Sequence, residues 1–213
     1  GEIISRILEI GEKGMGCPVE IEFAVNLEEN KKPHFYLLQI RPMVVAQSRI
    51  KVKISEDDMT KAWCFSDKVM GQSQNTEVHS IIYVKPESFD TAKTREIAGD
   101  IEKINKVMKD RGKRYLLIGP GRWGTSDRWL GIPVKWSAIS EAHSIMETTS
   151  EKLHADPSQG SHFFHNITSL GINYLGIPPK GKSYINMDFL DNHPAEMETE
   201  YLRYVELTLP VHL

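Results

Sequence analysis

Ser80–Gly119 reads SIIYVKPESFDTAKTREIAGDIEKINKVMKDRGKRYLLIG, and its two periodicities decide the fold class. The run SIIYV has the length and β-branched content of a buried strand, and RYLLIG repeats that character. Between them Ile97, Ile101, Ile104 and Met108 recur at helical spacing. Strand, amphipathic helix and strand make a β-α-β unit, which predicts a sheet containing parallel strands. Further along, HSIMETT (143–149), INYLGI (172–177), SYINM (183–187) and YLRYVELTL (201–209) read as strands, and SHFFHNITSL (161–170) as a helix. A mixed-sheet α/β domain over residues 76–213 is expected. Upstream, SEDD starts a helix at Asp57 or Asp58, MTKAWCFSDKVMG reads as a short helix ended by Gly71, and residues 51–75 as a whole read as a linker.

A second pattern occupies Pro18–Met43, PVEIEFAVNLEENKKPHFYLLQIRPM. Ile21, Phe23 and Val25 alternate with Glu20, Glu22 and Ala24, and PHFYLLQI is an apolar partner strand across the polar loop LEENKK. With the loop centred near Asn30, Glu22 lies across from Gln39. Glu20 and Glu22 then share one face about 7 Å apart, and Gln39 and Arg41 share one face of the returning strand. Paired carboxylates suit Mg²⁺, and the planar arginine fork suits a phosphate. The same spacing also describes an edge hairpin in which Glu22 and Arg41 form a surface ion pair of little energetic worth, and spacing alone favours that plainer reading.

EIEFAV followed by FYLLQIRPM resembles the end of the ATP-grasp nucleotide-binding domain of the phosphoenolpyruvate synthase and pyruvate phosphate dikinase family. There an acidic-Ile-Glu-aromatic strand precedes a Gln-x-Arg-Pro strand, and IISRILEIGEKGMGCP is similar to the helix that leads into this hairpin. The resemblance covers about the first 45 residues. It implies that Glu22 and Gln39 contact nucleotide and metal, that Arg41 meets the ATP phosphates, and that Glu20, standing where the family more often has Asp, is a second Mg²⁺ ligand. Residues 1–50 are then the carboxyl part of an ATP-grasp domain. The lysine-bearing and arginine-bearing strands of that domain would precede them in a longer parent chain, and the 213 residues alone would bind neither ATP nor Mg²⁺ tightly. The reaction implied passes a phosphoryl group from ATP to a histidine and on to pyruvate, giving phosphoenolpyruvate. A pyruvate-binding barrel needs about 250 residues of its own and does not fit here.

Two motifs in the second domain bear on chemistry. GPGRWG (119–124) matches the letters of a dinucleotide-binding loop, but Pro120 removes an amide, and Gly131 and Pro133 fall where the helix should run. A tight structural turn is the leading reading. Arg122, Ser126 and Arg128 offer an anion-binding inventory at a strand end, with Trp123 and Trp129 either walling such a pocket or packing on the core. In SHFFHNITSLGI, His162 and His165 are one helical turn apart. With His154 or Asp156 they could ligate a metal, although the spacing matches no standard zinc pattern; the plain alternative is one exposed and one backbone-satisfied histidine. The segment also resembles the swivelling phosphohistidine domain of the same family, where a Ser-His or Cys-His pair precedes Leu-Gly-Ile. That resemblance implies His162 as phosphocarrier, in register with Leu170, Gly171 and Ile172. Ser158, Gln159 and Gly160 replace the family's Gly-Gly-x-Thr lead-in, and Phe163 and Phe164 replace small residues.

Composition narrows the partners. A net charge of −3 with pI near 6.3 gives no electrostatic footprint for nucleic acid. No apolar run has the roughly 20 residues that span a bilayer. Cys17 and Cys64 lie far apart with no CxxC spacing, which fits reduced thiols in the cytoplasm. The class opposed to a phosphotransferase is a non-catalytic ligand- or partner-binding α/β module within a larger enzyme-like protein.

Overall fold

The computed structural model describes residues 2–15, 19–27, 32–42, 54–70, 78–150, 153 and 172–211. The chain divides into two compact units, Gly1–Gln47 and Ser48–Leu213.

The first unit holds helix α1 (Glu2–Met15) and an antiparallel hairpin of β1 (Val19–Asn26) and β2 (His34–Pro42). The helix meets the hairpin at Gly11, where a Cβ would stand 2.4 Å from Ile40 Cδ1 and 2.8 Å from Val19 Cγ2. Glycine therefore sets how closely the helix backbone approaches the strands.

The second unit is mixed α/β. Its elements in chain order are α2 (Glu56–Lys61), β3 (Cys64–Phe65), β4 (Lys68–Met70), β5 (Val78–Val84), α3 (Thr94–Asp110) and β6 (Tyr115–Pro120). They continue with β7 (Arg122–Trp123), β8 (Gly131–Ile132), β9 (Ala142–Thr148), β10 (Asn173–Ile177), β11 (Tyr184–Ile185), α4 (Met187–Asp191), β12 (Ala195–Glu198) and β13 (Leu202–Val211). The main sheet runs β12-β13-β5-β6-β9-β10-β4. Its centre, β5 to β10, is parallel, as the β-α-β reading of Ser80–Gly119 requires, and the flanking strands pair antiparallel.

One face of the sheet presents Ile82, Val84, Leu117 and Ile145 to the α3 residues Ile97, Ile101, Ile104 and Met108, all fully buried. Each such side chain contributes roughly 1.5–3 kcal/mol of transfer free energy. The opposite face, with Ile81, Tyr83, Leu116, Ile118 and Met146, is covered by Leu190 of α4 together with Trp63 and Phe189, whose rings stack at 5.5 Å. Covering on both faces is why the central strands read as unbroken apolar runs rather than alternating ones.

The stretch 54–70, expected to be linker and one short helix, instead carries three elements. Ser55 caps α2 through a capping box: the Asp58 amide donates to Ser55 Oγ at 3.2 Å and the Ser55 amide donates to Asp58 Oδ2 at 2.9 Å. The helix stops at Lys61, and Cys64–Phe65 and Lys68–Met70 are extended because their partners, Tyr184–Ile185 and Tyr174–Gly176, lie far along the chain. Tertiary pairing overrides local propensity there. SYINM likewise keeps only Tyr184–Ile185 as strand, since Asn186 caps α4 by accepting from the Phe189 amide. Burial pushes the Cys64 thiol up to about 12, leaving it protonated and inert at neutral pH. Cys17 and the helix expected at 161–170 lie outside the described residues.

Asn105 ties α3 to the following strands. Its Oδ1 accepts from Tyr115 Oη at 2.8 Å and from the Glu141 amide at 3.0 Å, while Nδ2 donates to Ser140 Oγ at 3.1 Å. Asn105→Ala strands a buried hydroxyl and a backbone N–H and is expected to cost about 2–4 kcal/mol of stability. The neighbouring exposed Lys106→Ala is expected to stay within about 0.5 kcal/mol, a contrast measurable by urea denaturation.

Candidate functional site

The hairpin register places Glu22 directly opposite Gln39, as the loop position predicts, and Glu20 opposite Arg41. The four side chains occupy one face. Arg41 Nε contacts Glu20 Oε1, so the ion pair forms at Glu20 rather than at Glu22. Its members are 29% and 32% exposed, and a pair this wet contributes at most about 1 kcal/mol. Glu22 and Gln39 lie open to solvent. Just beyond them the register slips between Glu22 and Phe23, which twists the hairpin away from its acidic end. Among the described residues no three His, Cys, Asp or Glu side chains converge as a metal cluster. As a Mg²⁺ site the hairpin therefore supplies Glu22 with the Gln39 carbonyl beside it, while Glu20 is committed to Arg41. That set suits Mg²⁺ only where phosphate oxygens complete it.

The GPGRWG loop is a structural device. No helix follows β6. Instead β7 turns back to pair in parallel with β8, which removes the helix N-terminus a dinucleotide site needs. Gly121 and Gly124 adopt φ of +71° and +75°, conformations that favour glycine. At Gly131 a Cβ would stand 2.0 Å from the Arg122 carbonyl oxygen, so the two short strands touch backbone to backbone. Trp123 is driven inward. Its indole Nε1 donates to the Met146 carbonyl at 3.1 Å and its amide to Glu147 Oε1 at 3.0 Å, while Glu147 Oε2 accepts from Tyr174 Oη at 2.7 Å. Glu147 is only 4% exposed, and these bonds offset much of the cost of burying its carboxylate. Of the three residues read as an anion inventory, Arg122 lies half-buried in β7, whereas Ser126 and Arg128 are exposed and the Arg128 guanidinium sits 4.9 Å over the exposed Trp129 ring.

A cleft of about 440 Å³ opens where β5, β6 and β9 end. The carboxyl edge of a parallel sheet is where α/β folds place ligands, because connections diverge there and leave a crevice. Val84, Glu87 and Phe89 reach it from β5 and the connection to α3, which Asp90 fixes by accepting from the Ala92 amide at 2.8 Å. Ile118 and Gly119 form part of its wall from β6, Thr148 to Ser150 from the end of β9, and Ile185 and Met187 from β11 and α4. Gly119 is needed for space: a Cβ would fall 2.5 Å from the Trp123 ring. Arg122, Ser126 and Arg128 do not line this cleft.

His162, His165, His154 and Asp156 lie outside the described residues. Sequence reasoning missed Glu147, Tyr174 and Glu87. The available signal was Glu147 itself, an acidic residue two places after Ile145 on the face of HSIMETT that packs inward. The chain matches no protein-family model, no curated protein and no solved structure.

Gly131→Ala is expected to lower the unfolding free energy by about 2–4 kcal/mol, because the Arg122 backbone cannot retreat without breaking β7 from β8. Gly112→Ala, at φ +62° with nothing within 4 Å, should cost only about 1 kcal/mol. Urea melts of the two variants check the difference.

Proposed function

We propose that this chain belongs to an ATP-dependent phosphotransferase of the phosphoenolpyruvate synthase type, acting in the cytoplasm on ATP and pyruvate. The observation that carries the reading is the hairpin register, which brings Glu22, Gln39, Glu20 and Arg41 to one face. Arg41 has five N–H donors, so one guanidinium can hold Glu20 and meet a phosphate. In this reading Glu22 and Gln39 hold Mg²⁺ beside the triphosphate, Arg41 neutralises charge on the transferring group, and His162 carries the phosphoryl group toward pyruvate. When bound, Mg²⁺ supplies electrostatic stabilisation of that phosphoryl group.

The first unit also has the surface of an incomplete lobe. Phe23, Val25, Tyr36, Leu37 and Leu38 are each at least 40% exposed on a two-stranded sheet, and a hairpin of this size is marginal without further packing. Preceding strands of an ATP-grasp lobe would cover that surface. Among the described residues no helix is long and apolar enough to cross a membrane.

A second reading applies to Ser48–Leu213 alone: a non-catalytic ligand-binding module. The cleft at the carboxyl ends of β5, β6 and β9 favours it.

In the full-length parent, ATP carrying radioactive phosphorus at the β position is expected to leave an acid-labile label on histidine. Arg41→Ala should slow labelling by about 10²–10³-fold, the usual effect of removing one charge-stabilising donor. His162→Ala should abolish it. Unchanged labelling in Arg41→Ala overturns the hairpin assignment, and unchanged labelling in His162→Ala removes the carrier. Isothermal titration of Mg·ATP into the 213-residue chain alone is expected to show no tight binding.

A further inference from the structure

We infer that the cleft at the carboxyl ends of β5, β6 and β9 takes a small organic cation, an ammonium group on a compact apolar body. The inference rests on the ligand-module reading of the second unit and adds the chemical class. The volume of about 440 Å³ suits a drug-sized or smaller molecule. Val84, Phe89, Ile118 and Met187 supply apolar wall, which selects a hydrophobic body and releases water from it.

Charge decides the head group. Glu87 is the one ionisable residue among the described residues that line the cleft. The nearest base along the chain, Lys85, is outside the lining, and its Nζ is held 3.1 Å from Glu198 Oε1. Among the described lining residues an anion therefore meets a carboxylate and no countercharge, whereas an ammonium meets Glu87 and the hydroxyl-bearing exit of β9 at Thr148 and Thr149, whose oxygens accept hydrogen bonds. Glu87 is solvent-exposed, so its pull is that of a screened pair and amounts to about fivefold in affinity. The same exposure makes Glu87→Gln a substitution that leaves the fold intact.

The test uses the intact 213-residue chain, isotopically labelled for amide NMR at neutral pH, with three probes of matched shape: phenethylammonium, phenethyl alcohol and hydrocinnamate. Phenethylammonium is expected to shift the amides of Gly119, Thr149 and Ile185, to bind about fivefold more tightly than the alcohol, and to fall to the alcohol's affinity in Glu87→Gln. Hydrocinnamate is expected to bind more weakly than the alcohol. Equal affinity for ammonium and alcohol, or tighter binding of hydrocinnamate, overturns the cation assignment while leaving a ligand module of other specificity. Failure of all three probes to shift the cleft amides overturns the assignment and the module reading together.

Discussion

A buried carboxylate holds the working edge of the sheet in place. Glu147 stands at the end of β9, almost out of solvent, with one oxygen accepting from the Trp123 amide and the other from Tyr174 Oη. A buried polar side chain in that position is tolerated only when hydrogen-bonded, so the polypeptide after β6 must fold back far enough to deliver its amide. The Trp123 indole then bonds the Met146 carbonyl on the adjoining strand and fills the space that Gly119 leaves open. From that fixed point follow the β7 and β8 pair, the close approach at Gly131 and the shape of the cleft wall at Gly119. The GPGRWG glycines serve this packing.

The first unit works by different energetics. Its ion pair, Arg41 with Glu20, is wet and weak, and its antiparallel register is fixed instead by Val19 and Ile40 against α1 at Gly11. Position and not stability is what the charged face provides. With Glu20 and Glu22 on neighbouring same-face sites of β1, and Gln39 and Arg41 opposite, the face presents oxygen and guanidinium groups together, and that arrangement is what the phosphotransferase reading draws on.

Much of this was legible in the sequence wherever one segment specified its own structure. Ile97, Ile101, Ile104 and Met108 announced α3, the flanking apolar runs announced β5 and β6, and EIEFAV with its partner run and loop announced the hairpin and the pairing of Glu22 with Gln39, but not the slip between Glu22 and Phe23. Legibility ended where structure depends on a distant partner. Cys64–Phe65 and Lys68–Met70 are too short for any period to show, and they are strands because Tyr184–Ile185 and Tyr174–Gly176 pair with them. The site was harder still. Arg122, Ser126 and Arg128 read as an anion-binding inventory at a strand end; β7 holds Arg122 half-buried, Ser126 is exposed and Arg128 lies over Trp129 at the surface. The cleft itself is assembled from strand ends that the sequence locates without saying that Val84, Gly119, Thr148 and Met187 meet.

The central physical claim is that the Trp123 and Glu147 bond locks the loop after β6 to the sheet, and hydrogen exchange tests it most directly. The Trp123 amide and indole N–H should exchange as slowly as the core amides of β6, through global unfolding, and Glu147→Ala, which removes the acceptor, should release the amide to fast local exchange. Exchange of the native Trp123 protons at the rate of the exposed amides around Arg128 would contradict the account.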